Sequence, residues 1–547
     1  AERHLGLTGS RRILARGLEP AGAFPASRRR LQIAARRSTG IAQQRRTHAA
    51  RAASAAYKDC RLVMTILGRY EPWGRLSGGG MSEVWLARHR TLSVPVVLKT
   101  LRPDVAEKLV DAAASMSSTA RLMARVNSAA VVRVLDVGHD SVEPGGAAVP
   151  CIVEEYVDGI DVAELDARRR AALGRPLPLW AVADTVAAAA RGLHAAHQAG
   201  VVHRDVKPAN LFADASGAVK VGDFGVAVAS RDLCRRDVAG TPLFMAPEQF
   251  TGDAPDRRAD VFSLGATAFA LRYGAPPWSD SGSIVRGEAP AVFPPAASAD
   301  EAYFQHAISH AMARRPDDRP PNALCLARAL GALGRRTRPP LGGVRHRPGE
   351  LQIGSLRIVL EAGDLSLANV DAIVSSAYSE MRMDQGVGAA LRARGGAHIE
   401  EEALAGGPRA LGDCVVTRSG ALACRGVLHA VGAWNEVSCI ARATMRALWL
   451  AERHGWRTLA MPAIGTGRGR VSLPSCADTL GNALRVHAAL GGRLEEVRIV
   501  LYDNASLETF DEVLSGLFLG APSDAGDVDL ARPPATTSEA LARTQVL

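Results

Sequence analysis

The stretch His203-Arg204-Asp205-Val206-Lys207-Pro208-Ala209-Asn210, followed by Asp223-Phe224-Gly225, is the most diagnostic part of this 547-residue chain. It places two carboxylates, an amide and an ammonium within a short span of sequence. One carboxylate can orient a hydroxyl group, while the amide oxygen and the second carboxylate can hold a magnesium ion against phosphate groups. The stretch therefore predicts a site for phosphate chemistry, with Asp205 at the base position and Asn210 and Asp223 facing the metal.

The spacing H-R-D-x-x-x-x-N with a following D-F-G resembles that of protein kinases, and specifically the bacterial Ser/Thr protein kinases of eukaryotic (Hanks) type. The resemblance implies a bilobal protein-kinase fold over residues 68–335, with ATP and Mg²⁺ as cofactors. It implies transfer of the ATP γ-phosphate to Ser and Thr hydroxyls of protein substrates. Asp205 and Lys207 would be the catalytic residues, with Lys207 neutralising the transferring phosphoryl group.

Residues 76–85 lie where this family has its glycine-rich phosphate loop, shortly before Val96-Val97-Leu98-Lys99. Such a loop brings backbone N–H groups against phosphates, which larger side chains would obstruct. Ser77 and Ser82 replace the first and third glycines of the pattern, and Lys99 would contact the α and β phosphates. The residues expected to bind the nucleotide are Leu76, Ser77, Gly78, Gly79, Gly80, Met81, Ser82, Val84, Lys99, Asn210 and Asp223.

Two positions depart from the family pattern. Thr119 falls where the family has the helical Glu that holds the lysine, and no acid occurs between Asp111 and Asp136. Either Glu107 or Asp111 substitutes from a shifted helix, or the ion pair is missing. Glu154 falls at a position that is usually apolar, where a buried carboxylate needs a partner or a raised pKa. The sequence identifies no partner for it.

Further motifs follow the D-F-G. Ala246-Pro247-Glu248 closes the activation segment, and we expect Arg319 to pair with Glu248 in a structural role. Between Asp223 and Glu248 only Ser230 and Thr241 carry hydroxyls. An Arg before the catalytic Asp usually receives a loop phosphate, so Ser230 is the hypothetical phosphorylation site.

Residues 351–520 alternate strand and helix patterns, which predicts a three-layer α/β/α domain and, with the first domain, a multidomain α+β and α/β protein. The predicted strands lie at 358–360, 370–374, 426–432, 458–462 and 497–502. The predicted helices lie at 387–395, 438–454 and 475–489.

The segments Gly363-Asp364-Leu365-Ser366, Leu428-His429-Ala430-Val431-Gly432 and Pro462-Ala463-Ile464-Gly465-Thr466-Gly467 make this domain similar to a macro domain, an ADP-ribose-binding module. The resemblance implies that Asp364 reads the adenine amino group and that Tyr502 stacks on the ring. The loop 465–469 would cradle the diphosphate. The implied ligand contacts are Asp364, Gly386, Val387, Gly465, Thr466, Gly467, Arg468, Gly469 and Tyr502.

The macro-like region lacks two family features. Ser375-Ser376-Ala377-Tyr378 stands where the family has N-A-A-N, and Gly388 stands at the catalytic Asp of hydrolytic members. We therefore expect a reader or a degenerate scaffold rather than a hydrolase, with Tyr378 narrowing the site for the distal ribose.

The charge of the chain is concentrated at one end. Residues 1–56 hold twelve Arg and two acids, and so account for the whole net charge of +10. We expect them to be a disordered or untranslated extension, with a basic arm for a membrane or nucleic acid as the alternative. The folded part is not expected to bind nucleic acid. Residues 336–350 are expected to be a linker and 521–547 a disordered tail.

The eight scattered cysteines and the absence of an 18-residue apolar run predict a reduced, cytoplasmic protein without a membrane span. The leading hypothesis is a non-specific Ser/Thr protein kinase whose macro-like domain binds ADP-ribose or a related nucleotide. The alternatives are an impaired kinase acting as a nucleotide-sensing scaffold for ATP and ADP-ribose, and an active kinase that ADP-ribose biases.

Overall fold

A computed structural model of the full chain describes residues 65–78, 82–102, 105–106, 110–141, 148–224, 242–251, 255–340, 345–434, 437–467 and 469–519. The expected extension at 1–56 and the expected tail at 521–547 lie outside these ranges.

The first lobe contains five strands and one described helix, namely β1 (Tyr70–Gly78), β2 (Ser82–His89), β3 (Pro95–Leu101), α1 (Val110–Met123), β4 (Val134–Asp140) and β5 (Val149–Glu155). The strands form an antiparallel sheet in the order β1-β2-β3-β5-β4. Because side chains alternate between the faces of a strand, Val96 and Leu98 pack with Ile66 on one face of β3. Lys99 and Leu101 therefore point to the opposite face, where Leu101 belongs to the same hydrophobic core as Met116 of α1.

The second lobe is mainly helical. Its elements are β6 (Gly159–Asp161), α2 (Val162–Leu173), α3 (Leu179–Gln198), β7 (Leu211–Asp214), β8 (Val219–Val221), α4 (Glu248–Thr251), α5 (Arg257–Tyr273), α6 (Ser281–Arg286), α7 (Ala299–Ala311) and α8 (Ala323–Thr337). Helix α3 lies at the centre of this lobe, with Ala183, Ala187 and Ala190 fully buried. Small side chains along α3 let α8 and α5 pack closely against it.

The C-terminal domain consists of β9 (Arg345–Arg347), β10 (Glu350–Ile353), β11 (Leu356–Ala362), β12 (Ala372–Ala377), α9 (Gly386–Gly395), α10 (His398–Ala405), β13 (Cys414–Thr417), β14 (Gly426–Val431), β15 (Ala433–Trp434), β16 (Val437–Ser438), α11 (Ile440–Arg453), β17 (Thr458–Pro462), α12 (Leu473–Ala489), β18 (Glu496–Leu501) and α13 (Asn504–Leu519). Its eight-stranded sheet has the order β13-β14-β12-β17-β18-β11-β10-β9. Strands β14, β12, β17, β18 and β11 run parallel to one another.

Each face of this sheet is covered by helices, which confirms the predicted three-layer class. On one face Val374, Met461 and Ile499 share a core with residues of α11, α12 and α13. On the other face Ile373 and Val500 pack with residues of α9 and α10. Residues buried on both faces produce the unbroken apolar runs from which the central strands were predicted.

The edges of the sheet were not predicted from the sequence. Strands β9, β10 and β13 are only three or four residues long. Strands β9 and β13 form the two edges and β10 lies beside one of them. Strands this short give too few residues for a recognisable pattern. Residues 345–347, inside the expected linker at 336–350, form β9, and helix α8 continues to Thr337.

The C-terminal domain packs on the segment that joins the two lobes. The Asp158 carboxylate accepts the backbone N–H groups of Ala441, at 3.0 Å, and Arg442, at 3.1 Å. These are the second and third residues of α11, whose own N-cap residue Cys439 makes no capping side-chain hydrogen bond. The Tyr156 hydroxyl lies 3.0 Å from the Cys439 Sγ. A carboxylate of the first domain thus caps a helix of the second.

Further contacts extend this interface in both directions. Arg446 of α11 donates to both carboxylate oxygens of Glu164 in α2, at 2.6 and 2.8 Å. Met445 and Trp449 belong to the same hydrophobic core as the second lobe. Near the first lobe, a small cluster brings Trp73, Leu76 and Tyr156 together with Ala377, Met381 and Val431. Among the described residues, no helix is long and apolar enough to cross a membrane.

Replacing Arg446 with Met should weaken this interface in a pH-dependent way. Burial opposes the charge on Glu164, but hydrogen bonds from Arg446 and Arg168 lower the pKa of Glu164 from 4.5 to about 2. The stabilisation is therefore complete above the ordinary pKa and is lost as the pH falls toward 2. At pH 7 we expect Arg446→Met to lower the free energy of unfolding by about 2 kcal/mol.

The measurement is thermal unfolding of the full chain and the variant between pH 7 and pH 3. The difference in midpoint should shrink below pH 4.5, because Glu164 takes up a proton in the unfolded chain while it stays ionised in the folded protein. A difference that is the same at both ends of this range would contradict the assignment. Arg418→Met, which removes an exposed ion pair to Glu402, is the matched control.

Candidate active site

The backbone of the segment 203–205 is held by a buried carboxylate. Asp260 of α5 is fully buried and accepts the N–H groups of His203, at 2.8 Å, and Arg204, at 2.7 Å. Its Oδ2 also lies 2.7 Å from the His197 Nε2. Arg204 adopts a positive φ of 66°, which is uncommon for a residue other than glycine. The hydrogen bonds to Asp260 offset the cost of that conformation and aim the next residue, Asp205, outward.

Asp205, Lys207 and Asn210 come together in this loop. The Lys207 Nζ lies 2.8 Å from the Asp205 Oδ2. The Asn210 Nδ2 donates to the Asp205 carbonyl at 2.7 Å and to its Oδ2 at 3.1 Å. The carboxylate and ammonium are each about one-third exposed, with side-chain exposures of 34% and 35%. The group is therefore fixed internally and still open to a substrate.

Asp223 follows β8 and is tied to the same loop through His203. The His203 Nε2 lies 2.8 Å from the Gly222 carbonyl, and the His203 and Phe224 rings lie 4.5 Å apart between centroids. Asp223 has a positive φ of 65°. Burial opposes the charge on Asp223, but the Lys99 ammonium holds the pKa of this carboxyl below its ordinary value. Asp223 is therefore an ionised oxygen donor. Gly225 lies outside the described residues.

Lys99 has two carboxylate partners within the described part of the chain. Its Nζ lies 2.6 Å from the Glu154 Oε2 and also contacts the Asp223 Oδ1. Although burial favours the neutral amine, Asp223 and Glu154 together raise the pKa of Lys99 above its ordinary value. Glu154, for which the sequence offered no partner, thus lies against the lysine whose own partner was in question.

Helix α1 does not supply that partner from its described side chains. Thr119 is buried in α1, at 8% exposure, where the family pattern has Glu. The suggested substitutes, Glu107 and the side chain of Asp111, lie outside the described residues. Among the described residues, Lys99 is paired with Glu154 from the sheet instead.

The phosphate loop is described in part. Leu76, Ser77 and Gly78 end β1, and Ser82 and Val84 begin β2, with Val84 opposite Lys99 in the register of β2 and β3. Gly79, Gly80 and Met81 lie outside the described residues. The two strands therefore bring both described ends of the loop beside Lys99.

The end of the activation segment is anchored as expected. Arg319 makes a two-pronged ion pair with Glu248, with N–O distances of 2.6 and 2.9 Å, and its guanidinium is fully buried. The predicted pairing is therefore confirmed. The hypothetical phosphorylation site Ser230, and Thr241, lie outside the described residues.

In the C-terminal domain the predicted ligand residues meet at one edge of the sheet. Asp364 follows β11, Tyr502 follows β18, and the loop beginning at Gly465 follows β17. The carboxyl ends of parallel strands face the same edge, where open α/β sheets bind ligands. The Tyr502 ring is 95% exposed, and the Asp364 Oδ1 accepts the Ser366 N–H at 2.9 Å. Gly386 and Val387 begin helix α9, and Gly469 is buried next to Arg468, which lies outside the described residues.

The central part of this edge is narrow. A Cβ placed on Gly467 would lie 4.0 Å from the Tyr378 hydroxyl, so this tyrosine reaches across to the loop after β17. A Cβ on Gly388 would lie 3.2 Å from the Met383 Cα, which leaves little room for the Asp of hydrolytic macro domains. The narrowing of a distal ribose site by Tyr378 stays a prediction.

The sheet of the first lobe, the helical second lobe and the grouped Asp205, Lys207 and Asn210 define a protein kinase domain, and the C-terminal sheet defines a macro domain. Residues 70–321 match the family model of the protein kinase domain, and residues 374–480 match that of the macro domain. The chain therefore contains a protein kinase domain followed by a macro domain.

Proteins similar to the first domain include bacterial Ser/Thr protein kinases. Serine/threonine-protein kinase PknB of Mycobacterium leprae is 39% identical over 217 residues, covering 38% of this chain and 33% of the relative. The protein of the same name in Mycobacterium tuberculosis is 38% identical over 221 residues, covering 40% and 34%. Serine/threonine-protein kinases drp72 of Corynebacterium efficiens is 33% identical over 270 residues, covering 48% and 50%. The chain thus spans between a third and half of the length of these relatives.

Replacing Asp260 with Ala should loosen the catalytic loop specifically. The variant loses a buried acceptor for two backbone N–H groups, so we expect the free energy of unfolding to fall by about 3 kcal/mol. Hydrogen exchange followed by mass spectrometry should show faster exchange at His203 and Arg204. Asp256→Ala removes the N-cap of the same helix, whose side chain accepts the Arg258 N–H, and should leave exchange at 203–204 unchanged. Equal protection of the loop in both variants would contradict the role of Asp260.

Proposed function

We propose that this chain is a protein kinase that transfers the γ-phosphate of ATP to Ser and Thr hydroxyls of other proteins. The observation that carries the proposal is the hydrogen-bonded group of Asp205, Lys207 and Asn210, facing the ionised Asp223. The similarity to named Ser/Thr kinases supports the choice of hydroxyl. The impaired-scaffold alternative finds no support in the same residues.

Asp205 acts on the acceptor hydroxyl. Its carboxylate is held at one oxygen by Lys207 and Asn210, which fixes its direction while the acceptor approaches. It orients the hydroxyl and accepts its proton as the phosphoryl group moves. Lys207 lies beside the same carboxylate, so its ammonium can also stabilise charge on the transferring group.

Asn210 and Asp223 fit a magnesium ion. The Asn210 Nδ2 is used on Asp205, which leaves the amide Oδ1 as the atom for a hard cation. Asp223 supplies an ionised carboxylate, and oxygen donors of this kind are the ligands that Mg²⁺ prefers. When bound, the ion would neutralise charge on the β and γ phosphates.

The six described cysteines are all free, which supports a reducing compartment such as the cytoplasm.

Asp205→Ala should abolish transfer while leaving nucleotide binding intact. We expect the turnover rate with Mg-ATP to fall by about a hundred- to ten-thousand-fold, because the base is lost but Lys99 and Asp223 remain. The measurement is transfer of labelled phosphate to the chain itself and to a generic basic protein, with analysis of the labelled residue type.

The control for this experiment is Asp318→Ala, which removes an exposed carboxylate of the same lobe, and which should behave like the wild type. Thermal shift by ATP should be retained in both variants. Equal transfer by wild type and Asp205→Ala would refute the proposed role, and label on Tyr would refute the proposed hydroxyl class.

We further propose that the macro domain binds ADP-ribose or a related nucleotide. The convergence of Asp364, Tyr502 and the loop after β17 at one edge supports a site for an adenine nucleotide. The Tyr378 hydroxyl reaches the same loop, on the side proposed for the distal ribose of the ligand. The proposed site therefore has more room for the adenosine diphosphate part of ADP-ribose than for its distal ribose. Without an Asp at Gly388, we propose reading rather than hydrolysis.

Calorimetric titration of the full chain with ADP-ribose tests this proposal. Asp364→Ala removes the acceptor proposed for the adenine amino group, and we expect affinity to fall by at least about tenfold, or 1.4 kcal/mol. Glu495→Ala, at the opposite edge of the sheet and 67% exposed, is the matched control. Heat of binding that is identical in the two variants would place the nucleotide elsewhere.

Coupling between the two sites stays a prediction. The contact of Ala377, Met381 and Val431 with Leu76 and Tyr156 supports a direct physical route between the macro edge and the kinase hinge. Coupling itself requires that saturation with ADP-ribose changes the affinity for ATP or the rate of transfer.

A further inference from the structure

We propose that Glu154 is the positioning residue that holds Lys99 for the nucleotide, in place of a carboxylate on helix α1. This inference rests on the proposed kinase function, because Lys99 is the lysine that would contact the ATP phosphates. It assigns a role to an acid at a position where the family usually has an apolar residue.

The register of the sheet explains how the two side chains meet. Lys99 in β3 lies opposite Ile152 in β5, and Val97 lies opposite Glu154. Residues two apart on a strand share a face, so Lys99 and Glu154 are diagonal neighbours on one side of the sheet. Long side chains bridge such a diagonal, and the Nζ–Oε2 distance here is 2.6 Å. Both residues lie within paired strands rather than loops.

Burial makes this contact obligatory rather than incidental. Lys99 and Glu154 retain only 6% and 7% of their exposure. A buried ammonium without a counter-charge is destabilised by several kcal/mol, as is a buried lone carboxylate. No acid occurs in the sequence between Asp111 and Asp136, so the described side chains of α1 include no carboxylate for Lys99. The ion pair between Glu154 and Lys99 therefore offsets the cost of removing both charges from water.

Two carboxylates around one ammonium have separate tasks. Asp223 is the partner that a metal ion would also use, and it is 30% exposed at its side chain. Glu154 is almost wholly enclosed, so it remains with Lys99 when a cation draws on Asp223. Burial raises the pKa of Glu154, and the Lys99 charge opposes that rise.

A lysine that is held from the sheet differs from a lysine that is held by helix α1 in its dependence on the position of that helix. Because the holding carboxylate belongs to the same sheet, the position of Lys99 does not depend on where α1 lies. Substitutions on the buried face of α1, such as Thr119→Ala, should change stability without changing the affinity for ATP.

The decisive experiment measures nucleotide binding directly, without relying on catalysis. Calorimetric titration of the full chain with Mg-ATP gives the affinity of the wild type and of the isosteric variant Glu154→Gln. We expect Glu154→Gln to weaken the affinity at least about tenfold, because the Lys99 ammonium loses the carboxylate that orients it.

The neighbouring variant Glu155→Gln provides a matched control. The Glu155 Oε1 lies 2.6 Å from the Lys220 Nζ, so this variant should bind Mg-ATP with the affinity of the wild type. An unchanged affinity in folded Glu154→Gln protein, checked by its thermal midpoint, would overturn the proposal.

Kinetics provide the second readout. If the wild type transfers phosphate, Glu154→Gln and Glu154→Met should raise KM for ATP at least about tenfold, because the ammonium loses its orientation. Unchanged KM in both variants would count against the role of Glu154. Failure of the wild type to transfer phosphate would remove the proposed function, while the affinities of the wild type and Glu154→Gln for Mg-ATP would still decide the positioning role.

Discussion

An ammonium group stays charged inside a protein only where carboxylates neutralise it, and this constraint organises the cleft of the kinase domain. Lys99 is neutralised from two directions, by Glu154 in the first-lobe sheet and by Asp223 in the segment after β8. One buried cation thereby ties the sheet of the first lobe to the Asp223 segment of the second. The groups proposed to act on ATP are placed relative to this cluster.

The same constraint applies to the catalytic loop, where the buried group is a carboxylate rather than an ammonium. Asp260 is a buried anion, and it is satisfied by two backbone N–H groups and a histidine ring. The outcome is a loop whose backbone is fixed from behind, so that Asp205 and Lys207 can remain partly exposed in front. Buried charge supplies rigidity in both places, and exposed charge is left for chemistry.

The sequence could predict what is encoded locally. Asp205, Lys207 and Asn210 lie within six residues of one another, so their motif carries its own geometry, and buried central strands show as apolar runs. It could not predict that Glu154 pairs with Lys99, because that contact depends on the register of β3 against β5. The same holds for Asp158, whose partners lie about 283 residues further along the chain. Strands β9, β10 and β13 were missed because three or four residues are too few to show a pattern.

Helix α11 begins with a cap that belongs to another domain, and this affects how the chain can be divided. Severed between residues 340 and 345, the macro portion would keep its sheet but would leave the N–H groups of Ala441 and Arg442 without Asp158. It would also uncover Met445 and Trp449, which are buried against the kinase lobe. The interface at the start of α11 is therefore built from both domains, and neither domain completes it alone. A macro domain moved into another protein would need to keep the segment around Asp158 that joins the two kinase lobes.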